Sequence, residues 1–184
     1  MTKPTIERVR DLSETITAAA VELVNEQGLT AVAMSHVAER AGITRATLYK
    51  YFPDVRTILN AWQERRIVEN LAALRAARDS ANSPRERLSS MLETFALMVY
   101  HQHTAELAVL LNNGEQASRG YAEFAKMLRD VIAEGARNGM FRCDVPPGEL
   151  ASFCSNALAA STSLSSAAAA RRLANVAVSA VTSR

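Results

Sequence analysis

The 184-residue chain has few of the residues that break regular structure, with seven glycines and five prolines. So few glycines and prolines are typical of a protein made of helices joined by short connections. Cysteine is also scarce. Cys143 and Cys154 are too few for a disulfide framework, and at eleven positions apart they lack the paired spacing of a zinc module. We therefore expect two reduced, partly buried thiols.

The sequence also lacks a charge excess and long apolar runs. Its 21 Lys and Arg against 19 Asp and Glu give a formal charge of +2, so binding to a polyanion depends on local charge placement. No stretch approaches the roughly 18 apolar residues of a membrane span. The opening MTKPTIERVRDL has no apolar segment before a cleavage site. With 48% hydrophobic residues, we expect a globular cytoplasmic protein with a buried core.

Apolar residues recur every three or four positions along most of the chain, which is the period of an amphipathic helix. The strongest start signal is Ser83-Pro84-Arg85-Glu86, which offers a serine cap, a proline at the first helical position and a glutamate three residues after the cap. The pattern predicts an all-α fold of about nine helices, running from about residue 6 to Gly28, Val32 to Ala41, Thr44 to Phe52, Asp54 past Leu74, Ser83 past Val99, about Thr104 to Asn112, Tyr121 to Asn138, Pro147 through Leu158, and about Ser166 to Val181.

Residues 157 to 170 form a tract rich in Ala and Ser. A flexible linker is one interpretation, but Ala is the best helix former, and Leu158 and Leu164 interrupt the polarity, so we favour helix. The last two predicted helices have small residues at apolar positions and few large ones. This composition indicates half of an intermolecular four-helix packing, and hence a homodimer through these helices. A hairpin packed against the chain's own body is the alternative.

Residues 32 to 52 combine a short helix, a glycine-containing turn and a second helix, which is the arrangement of a helix-turn-helix. Its predicted apolar seam consists of Val37, Ala38, Ala41, Ile43, Leu48 and Phe52. In such a unit the opening turn of the second helix meets base edges in the DNA major groove. That turn is Thr44, Arg45, Ala46 and Thr47. Arg45 suits guanine, Ala46 suits a thymine methyl, and Thr47 offers a hydroxyl or a methyl.

Tyr49, Lys50 and Tyr51 follow with phenol and ammonium donors for DNA phosphates, which position a protein without reading sequence. Two alternatives stay open: Tyr49 packs on the first helix, or Arg45 and Lys50 are solvated surface charges. Local charge supports DNA binding, because residues 36 to 56 hold four cations, Arg40, Arg45, Lys50 and Arg56, against Glu39 and Asp54. We expect a moderate salt dependence for each protomer.

Residues from about 8 to 60 resemble the DNA-binding domain of the TetR family of bacterial transcriptional repressors. The motifs that carry the resemblance are Val37-Ala38, Ala41-Gly42-Ile43, Thr47-Leu48-Tyr49 and Tyr51-Phe52-Pro53. The resemblance implies a DNA-binding domain at residues 1–54 and an effector-binding and dimerisation domain at 55–184. It also implies that residues 44–47 read bases in the major groove and that residues 49–51 contact phosphates. Ser35 takes a second-helix position that often holds a contacting Arg, and Val55 stands where the family usually has a Lys.

The resemblance further implies release from a palindromic operator when a small molecule binds the C-terminal domain. A pocket needs apolar walls and few polar groups. The candidate wall residues are Trp62, Met91, Phe95, Met98, Tyr121, Phe124 and Met127. Plain core packing is the alternative for each, because Met and aromatic residues at helical spacing fill any helical core.

Other functional classes find less support in the sequence. His101 and His103 lie two apart, and such residues point to different sides of a helix, so we expect surface or helix-terminal histidines and no metal or cofactor. The three His and two Cys show no nucleophile–base spacing, and no Gly-rich phosphate loop appears, which disfavours an enzyme. A helical adaptor that binds only protein is the remaining hypothesis, which a persistent dimer without DNA binding would favour.

Overall fold

The computed structural model describes residues 3–101 and 115–183. Over these ranges the chain is all-α, as predicted, and the short helix expected from about Thr104 to Asn112 lies outside them. The eight α-helices of the described residues are α1 (Lys3–Gln27), α2 (Met34–Arg40), α3 (Arg45–Tyr51), α4 (Val55–Asp79), α5 (Pro84–Tyr100), α6 (Glu115–Arg137), α7 (Pro147–Ala159) and α8 (Ala167–Val181). Two 3₁₀ turns, Leu29–Ala31 and Ala160–Ser163, follow α1 and α7.

The helix starts follow the capping signals in the sequence. The Thr44 hydroxyl accepts a hydrogen bond from the Thr47 amide at 3.2 Å, which caps α3. Ser83 and Glu86 form the complete capping box at the start of α5. Asp54 accepts from the Thr57 amide at 2.7 Å, and the hydrogen bonds from Thr57 hold the pKa of this carboxyl below its usual range. Each cap satisfies an amide that would otherwise lack a partner.

The Ala- and Ser-rich tract is not continuous helix, so that prediction is wrong over part of its length. Helix α7 ends at Ala159, the 3₁₀ turn runs to Ser163, and Leu164 has extended backbone with φ −81° and ψ 148°. Ser166 is also extended, and its hydroxyl accepts from the Ala169 amide to start α8. A serine that caps a new helix outweighs the helix propensity of the alanines around it.

The described residues up to Arg66 form one compact unit. Its core gathers apolar residues from α1, α2, α3 and the start of α4. They are Ile16, Ala20, Leu23, Val24, Val37, Ala38, Leu48, Phe52, Ile58 and Leu59. The predicted seam of the helix-turn-helix is therefore confirmed, with Ala41 and Ile43 packed as half-buried members. This core fixes α2 and α3 on α1.

The described residues from Ile67 onward form the second unit. Its core includes Leu92, Phe124, Leu128 and Leu158, with small residues where α8 meets its neighbours. Helix α8 packs most extensively on α5, and the Arg171 and Glu93 side chains pair across them at 2.8 Å. The two compact units divide within α4, and the functional boundary after residue 54 stays a prediction.

We predict that Gly135→Ala destabilises the second unit. A Cβ at Gly135 would overlap the ring of Phe141, which is 2% exposed and has little room to move. We expect the free energy of unfolding to fall by about 1–3 kcal/mol, as overpacking does. Gly148→Ala is the matched control, because the nearest neighbour to its Cβ is Arg129 Cδ at 3.9 Å. Equal urea midpoints for the two variants would contradict this packing.

An ion-pair cluster joins α2 to α1 on the protein surface. The Arg40 guanidinium contacts the Glu26 carboxylate at 2.8 Å and the Glu22 carboxylate at 3.4 Å. The hydrogen bond from Arg40 holds the pKa of Glu26 below its usual 4.5. Because Arg40 is the last residue of α2, the cluster holds the end of that helix just before the turn into α3.

We predict a pH-dependent contribution of Glu26 to stability. A carboxyl whose pKa is lowered by folding stabilises the native state above its unfolded pKa and loses this effect as the pH falls through the lowered value. The melting temperature of Glu26→Gln should therefore lie below that of the wild type at pH 7, and the difference should shrink as the pH falls below the usual 4.5 and through the lowered pKa of Glu26. Glu39→Gln, which changes an exposed carboxylate of α2, should track the wild type throughout. A gap of constant size from pH 7 to pH 3 would contradict the role of Glu26.

Candidate nucleic-acid interface

The turn between α2 and α3 is set by Gly42. Its φ of +67° lies in the left-handed region, which favours glycine. The Gly42 amide donates to the Glu39 carbonyl at 3.1 Å, and the Ile43 amide donates to the Ala38 carbonyl at 2.9 Å. This pair of hydrogen bonds closes α2 as a Schellman motif. The turn therefore directs the chain into α3 with a fixed geometry.

The first turn of α3 has a local hydrogen-bond arrangement that the sequence did not reveal. The Thr44 and Thr47 hydroxyl oxygens lie 2.9 Å apart, so these two side chains bond to each other as well as to the backbone. Thr47 is half-buried, whereas Thr44 is exposed. The Thr47 hydroxyl thus already has one partner within the protein.

Four residues form the exposed side of α3, which we call the α3 strip: Arg45, Ala46, Tyr49 and Lys50. They occupy positions i, i+1, i+4 and i+5, which share one face of a helix. Leu48, with no exposed surface, points to the opposite side and into the core. Tyr49 is 56% exposed, which favours a side chain that faces outward over one that packs on the first helix, and its DNA contact stays a prediction.

Of the other predicted contact residues, Thr44 is exposed, whereas Ser35, Thr47 and Tyr51 are half-buried. Tyr51 is half-buried and packs against the core of the first unit. Ser35 on α2 is also half-buried, and Val55 at the start of α4 packs against the same core. Arg56 is exposed beside the Asp54 carboxylate. The contacts assigned to Ser35, Thr44, Thr47 and Tyr51 stay predictions.

The structure divides the four cations expected near the DNA into two groups: Arg40 and Arg56 lie beside carboxylates, and Arg45 and Lys50 do not. Arg40 is engaged by Glu22 and Glu26. Arg45 and Lys50 are exposed on the α3 strip, and among the residues that the structure describes neither has an acidic partner. Their charges are therefore available to a polyanion, and the local charge excess is concentrated on α3.

The residues predicted to contact an effector are distributed over both units. Trp62 packs against the core of the first unit, and the Arg66 guanidinium lies 5.6 Å from its ring centre. The other six belong to the second unit. Of these, Met91, Phe124 and Met127 are buried in its core, while Phe95 and Met98 pack half-buried against it. Core packing accounts for these positions as they stand, and an effector role stays a prediction.

Two contacts bring some of these residues together. The Phe95 and Phe124 rings stack with their centres 4.3 Å apart. The hydroxyl of Tyr121, which is 46% exposed, donates to the buried Ser155 Oγ at 2.8 Å. Sequence reasoning missed Ser155, and it also missed Ser161, whose side chain is fully buried. Serines in an Ala-rich tract carry no periodic signal that separates buried from exposed positions.

His101 is exposed at the end of α5, next to the Tyr100 ring, and His103 lies outside the described residues. Over residues 3–101 and 115–183, no cluster of three His, Cys, Asp or Glu has a geometry that would hold a metal ion. None of the helices described has the length and apolar character needed to cross a membrane.

The helices that carry the α3 strip are similar in sequence to a known protein family. Residues 16–61 match the sequence profile of bacterial regulatory proteins of the tetR family. No curated protein sequence shows significant similarity to the chain. The matched range holds α2, α3 and the turn between them, together with parts of α1 and α4.

Solved structures share the fold over nearly the whole chain. A ketosteroid transcriptional regulator of Mycobacterium tuberculosis has a TM-score of 0.73 at 20% identity, with 94% of this chain and 95% of that chain covered. The regulator FadR of Bacillus subtilis, solved with stearoyl-CoA, has a TM-score of 0.69 at 18% identity, with 91% and 98% covered. The superantigen PfiT has a TM-score of 0.76 at 21% identity, with 93% and 96% covered.

At these identities the structures establish the fold, and the match over residues 16–61 locates the family's DNA-binding domain on the helices that present the α3 strip. Together, the comparisons show a tetR-family domain at residues 16–61 and, over nearly the whole chain, the fold of the solved regulators.

Proposed function

We propose that this chain is a transcriptional regulator of the TetR family, a homodimeric repressor that binds a palindromic operator and leaves it when a small apolar molecule binds the second unit. The α3 strip carries the proposal, because it is the exposed face of a helix-turn-helix and holds two cations without acidic partners in the described chain. Repression is typical of the family. The proposal assigns the chain no catalytic activity.

On the DNA, we propose that Arg45 and Ala46 read base edges and that Lys50 contacts a phosphate. Arg45 and Ala46 lie in the first turn of α3, the part of a recognition helix that enters the major groove. Lys50 lies in the last turn, where the helix passes the backbone. Tyr49 lies one turn after Arg45 on the same face, so its exposed ring also faces the duplex.

Substitutions on α3 test this assignment. Arg45→Ala should cost about 1–3 kcal/mol on the preferred sequence and relax the preference at one base position. Lys50→Ala should weaken all sequences alike and reduce the salt slope of binding by about 1. Operators selected from random duplexes, followed by fluorescence anisotropy at several salt concentrations, measure both effects. Arg137→Ala, which removes an exposed cation at the end of α6, is the control. If it weakens DNA binding as much as Arg45→Ala, the α3 strip is not the interface.

The proposed dimer forms through α7 and α8. Phe153 on α7 is 48% exposed and Val176 on α8 is 62% exposed, which leaves large apolar side chains in water on neighbouring helices. Small residues beside them, such as Ala160 and Ala168, allow helices to approach closely. A second copy covers this face by two-fold symmetry, which also repeats α3 at the spacing of a palindrome, about 34 Å or one DNA turn.

Introducing a negative charge at exposed apolar residues of the proposed dimer face provides a second test. Phe153→Glu and Val176→Glu should each shift the protein from dimer to monomer in sedimentation equilibrium, because a buried unpaired carboxylate strongly disfavours association. Both should also lose affinity for the palindromic duplex. Val68→Glu is the matched control, since Val68 is 65% exposed and lies on α4, which is not part of the proposed dimer face. A Val176→Glu protein that stays dimeric would rule out this interface.

The effector is proposed to be apolar because the second unit offers an apolar interior with flexible methionines. Met91, Met98 and Met127 can change shape to admit a ligand. Two proteins of the same fold are named as a ketosteroid regulator and a fatty acid degradation regulator, and a third, FadR of Bacillus subtilis, was solved with stearoyl-CoA. An effector shifts the protein off DNA only if it binds the released form more tightly than the DNA-bound form.

A further inference from the structure

We propose that Ser161 is the polar recognition group of the effector site and donates its hydroxyl proton to an uncharged carbonyl oxygen of an apolar ligand. This proposal rests on the proposed effector-released repressor and names the residue and the ligand chemistry of its site. Three observations carry it: an unpartnered hydroxyl in the core, its position at one end of the second unit, and the lack of buried charge around it.

The first observation is the hydroxyl itself. Ser161, in the 3₁₀ turn after α7, has no exposed surface. Within the part of the chain that the structure describes, its Oγ has no hydrogen-bond partner. A buried hydroxyl without a partner destabilises the protein that carries it, because it has lost its bonds to water. A ligand that accepts this proton recovers that loss.

The hydroxyls of two neighbouring serines, unlike that of Ser161, have hydrogen-bond partners. Ser163, in the same turn, donates to the Ala160 carbonyl at 2.9 Å. Ser155, one helical turn or so before the 3₁₀ turn and equally buried, accepts from Tyr121 and lies 3.0 Å from the Ala151 carbonyl. Both hydroxyls are therefore satisfied, which leaves Ser161 as the donor for a ligand.

The second observation is where Ser161 lies. The 3₁₀ turn packs on α5 and leads into α8. Helices α5 and α8 run antiparallel, because Ser89 near the start of α5 shares a surface groove with Ser179 near the end of α8. The turn before α8 therefore lies beside the end of α5. That end carries Met98 and Tyr100, which are half-buried against the core.

Aromatic side chains mark the same end of the unit. Phe95, in the second half of α5, stacks on Phe124 of α6. Tyr121, one turn earlier on α6, bridges to α7 through Ser155 and keeps nearly half of its surface exposed. This end therefore combines an apolar wall, a flexible Met98 and a partly exposed tyrosine that a ligand can displace on entry.

The third observation sets the chemistry of the ligand. In the described part of the second unit, the buried polar residues are Ser155 and Ser161, and none of the buried side chains is charged. A carboxylate or phosphate placed there would lose its hydration without gaining a counter-ion. A carbonyl of a ketone, ester or thioester needs only one donor. The site therefore favours a neutral carbonyl on an apolar body.

Ser161 has no exposed surface in the described form. Binding therefore requires displacement of nearby side chains, such as the half-buried Met98 or the partly exposed Tyr121, so the ligand-bound form differs from the packed one. A ligand that binds only a rearranged form satisfies the condition for shifting a two-state regulator.

The experiment compares matched probes on full-length wild type, Ser161→Ala and the control Ser163→Ala by thermal unfolding. The probes are 2-undecanone against undecane, 4-phenylcyclohexanone against phenylcyclohexane, and decanoate at pH 8. We expect a ketone to raise the melting temperature of the wild type more than its hydrocarbon does. Ser163→Ala should keep this preference, and Ser161→Ala should lose it, with ketone affinity reduced about tenfold by titration calorimetry. Decanoate should have no comparable effect.

The stability of Ser161→Ala without probe checks the premise. Removing an unpartnered hydroxyl should leave the melting temperature unchanged or raise it. A clear fall, or failure to fold, would mean that the hydroxyl has an internal partner and would overturn the proposal. So would ketones that never exceed their hydrocarbons, a ketone preference that survives in Ser161→Ala, or decanoate acting as strongly as the ketones.

DNA release, measured in parallel on a selected operator, separates this proposal from the proposed function. A ketone that binds through Ser161 and leaves the DNA complex intact would support the site and contradict effector-released repression. A ketone that releases DNA equally from wild type and Ser161→Ala would support the repressor and overturn the site.

Discussion

The packing of α3 on the core of the first unit is the constraint on which the proposed DNA recognition depends. Leu48 and Phe52 are buried, and they fix the rotation of α3 about its own axis. A rotation by one residue that moved Tyr49 into the core would carry Leu48 to the half-buried position of Thr47, so the leucine would lose part of its burial. The apolar core thereby selects which four side chains form the α3 strip.

The packing of α2 and α3 on the core also explains why two nearby arginines have different surroundings. Arg40 and Arg45 lie five positions apart, but Arg40 faces the acidic side chains of α1, and Arg45 faces solvent on α3. One arginine therefore holds the helix-turn-helix together, and the other is available to DNA. With few free cations on each α3, electrostatic attraction by one copy is limited, so the proposed dimer would gain affinity from two copies acting together and from base contacts.

Local signals made most of the fold predictable, and tertiary contacts account for the rest. The caps at Thr44 and Ser83 depend on residues within three positions, so the sequence alone locates them. The extended residues around Leu164 and the burial of Ser161 depend on how the turn meets α5, and composition carries no record of that contact. On α3, the motif located the recognition helix, but only the packing separated the exposed Tyr49 from the half-buried Tyr51.

The fold by itself does not determine what the second unit does, since a superantigen shares it with regulators of ketosteroid and fatty-acid metabolism. The discriminating information lies in particular side chains. A core built only for stability gains nothing from a hydroxyl that has lost water and found no partner, because alanine would fill the position of Ser161 without that loss. The Ala-rich segment around it shows that alanine is abundant at neighbouring positions. Under the effector proposal, that loss is recovered by a bond that Ser161 forms in a second, ligand-bound state of the protein.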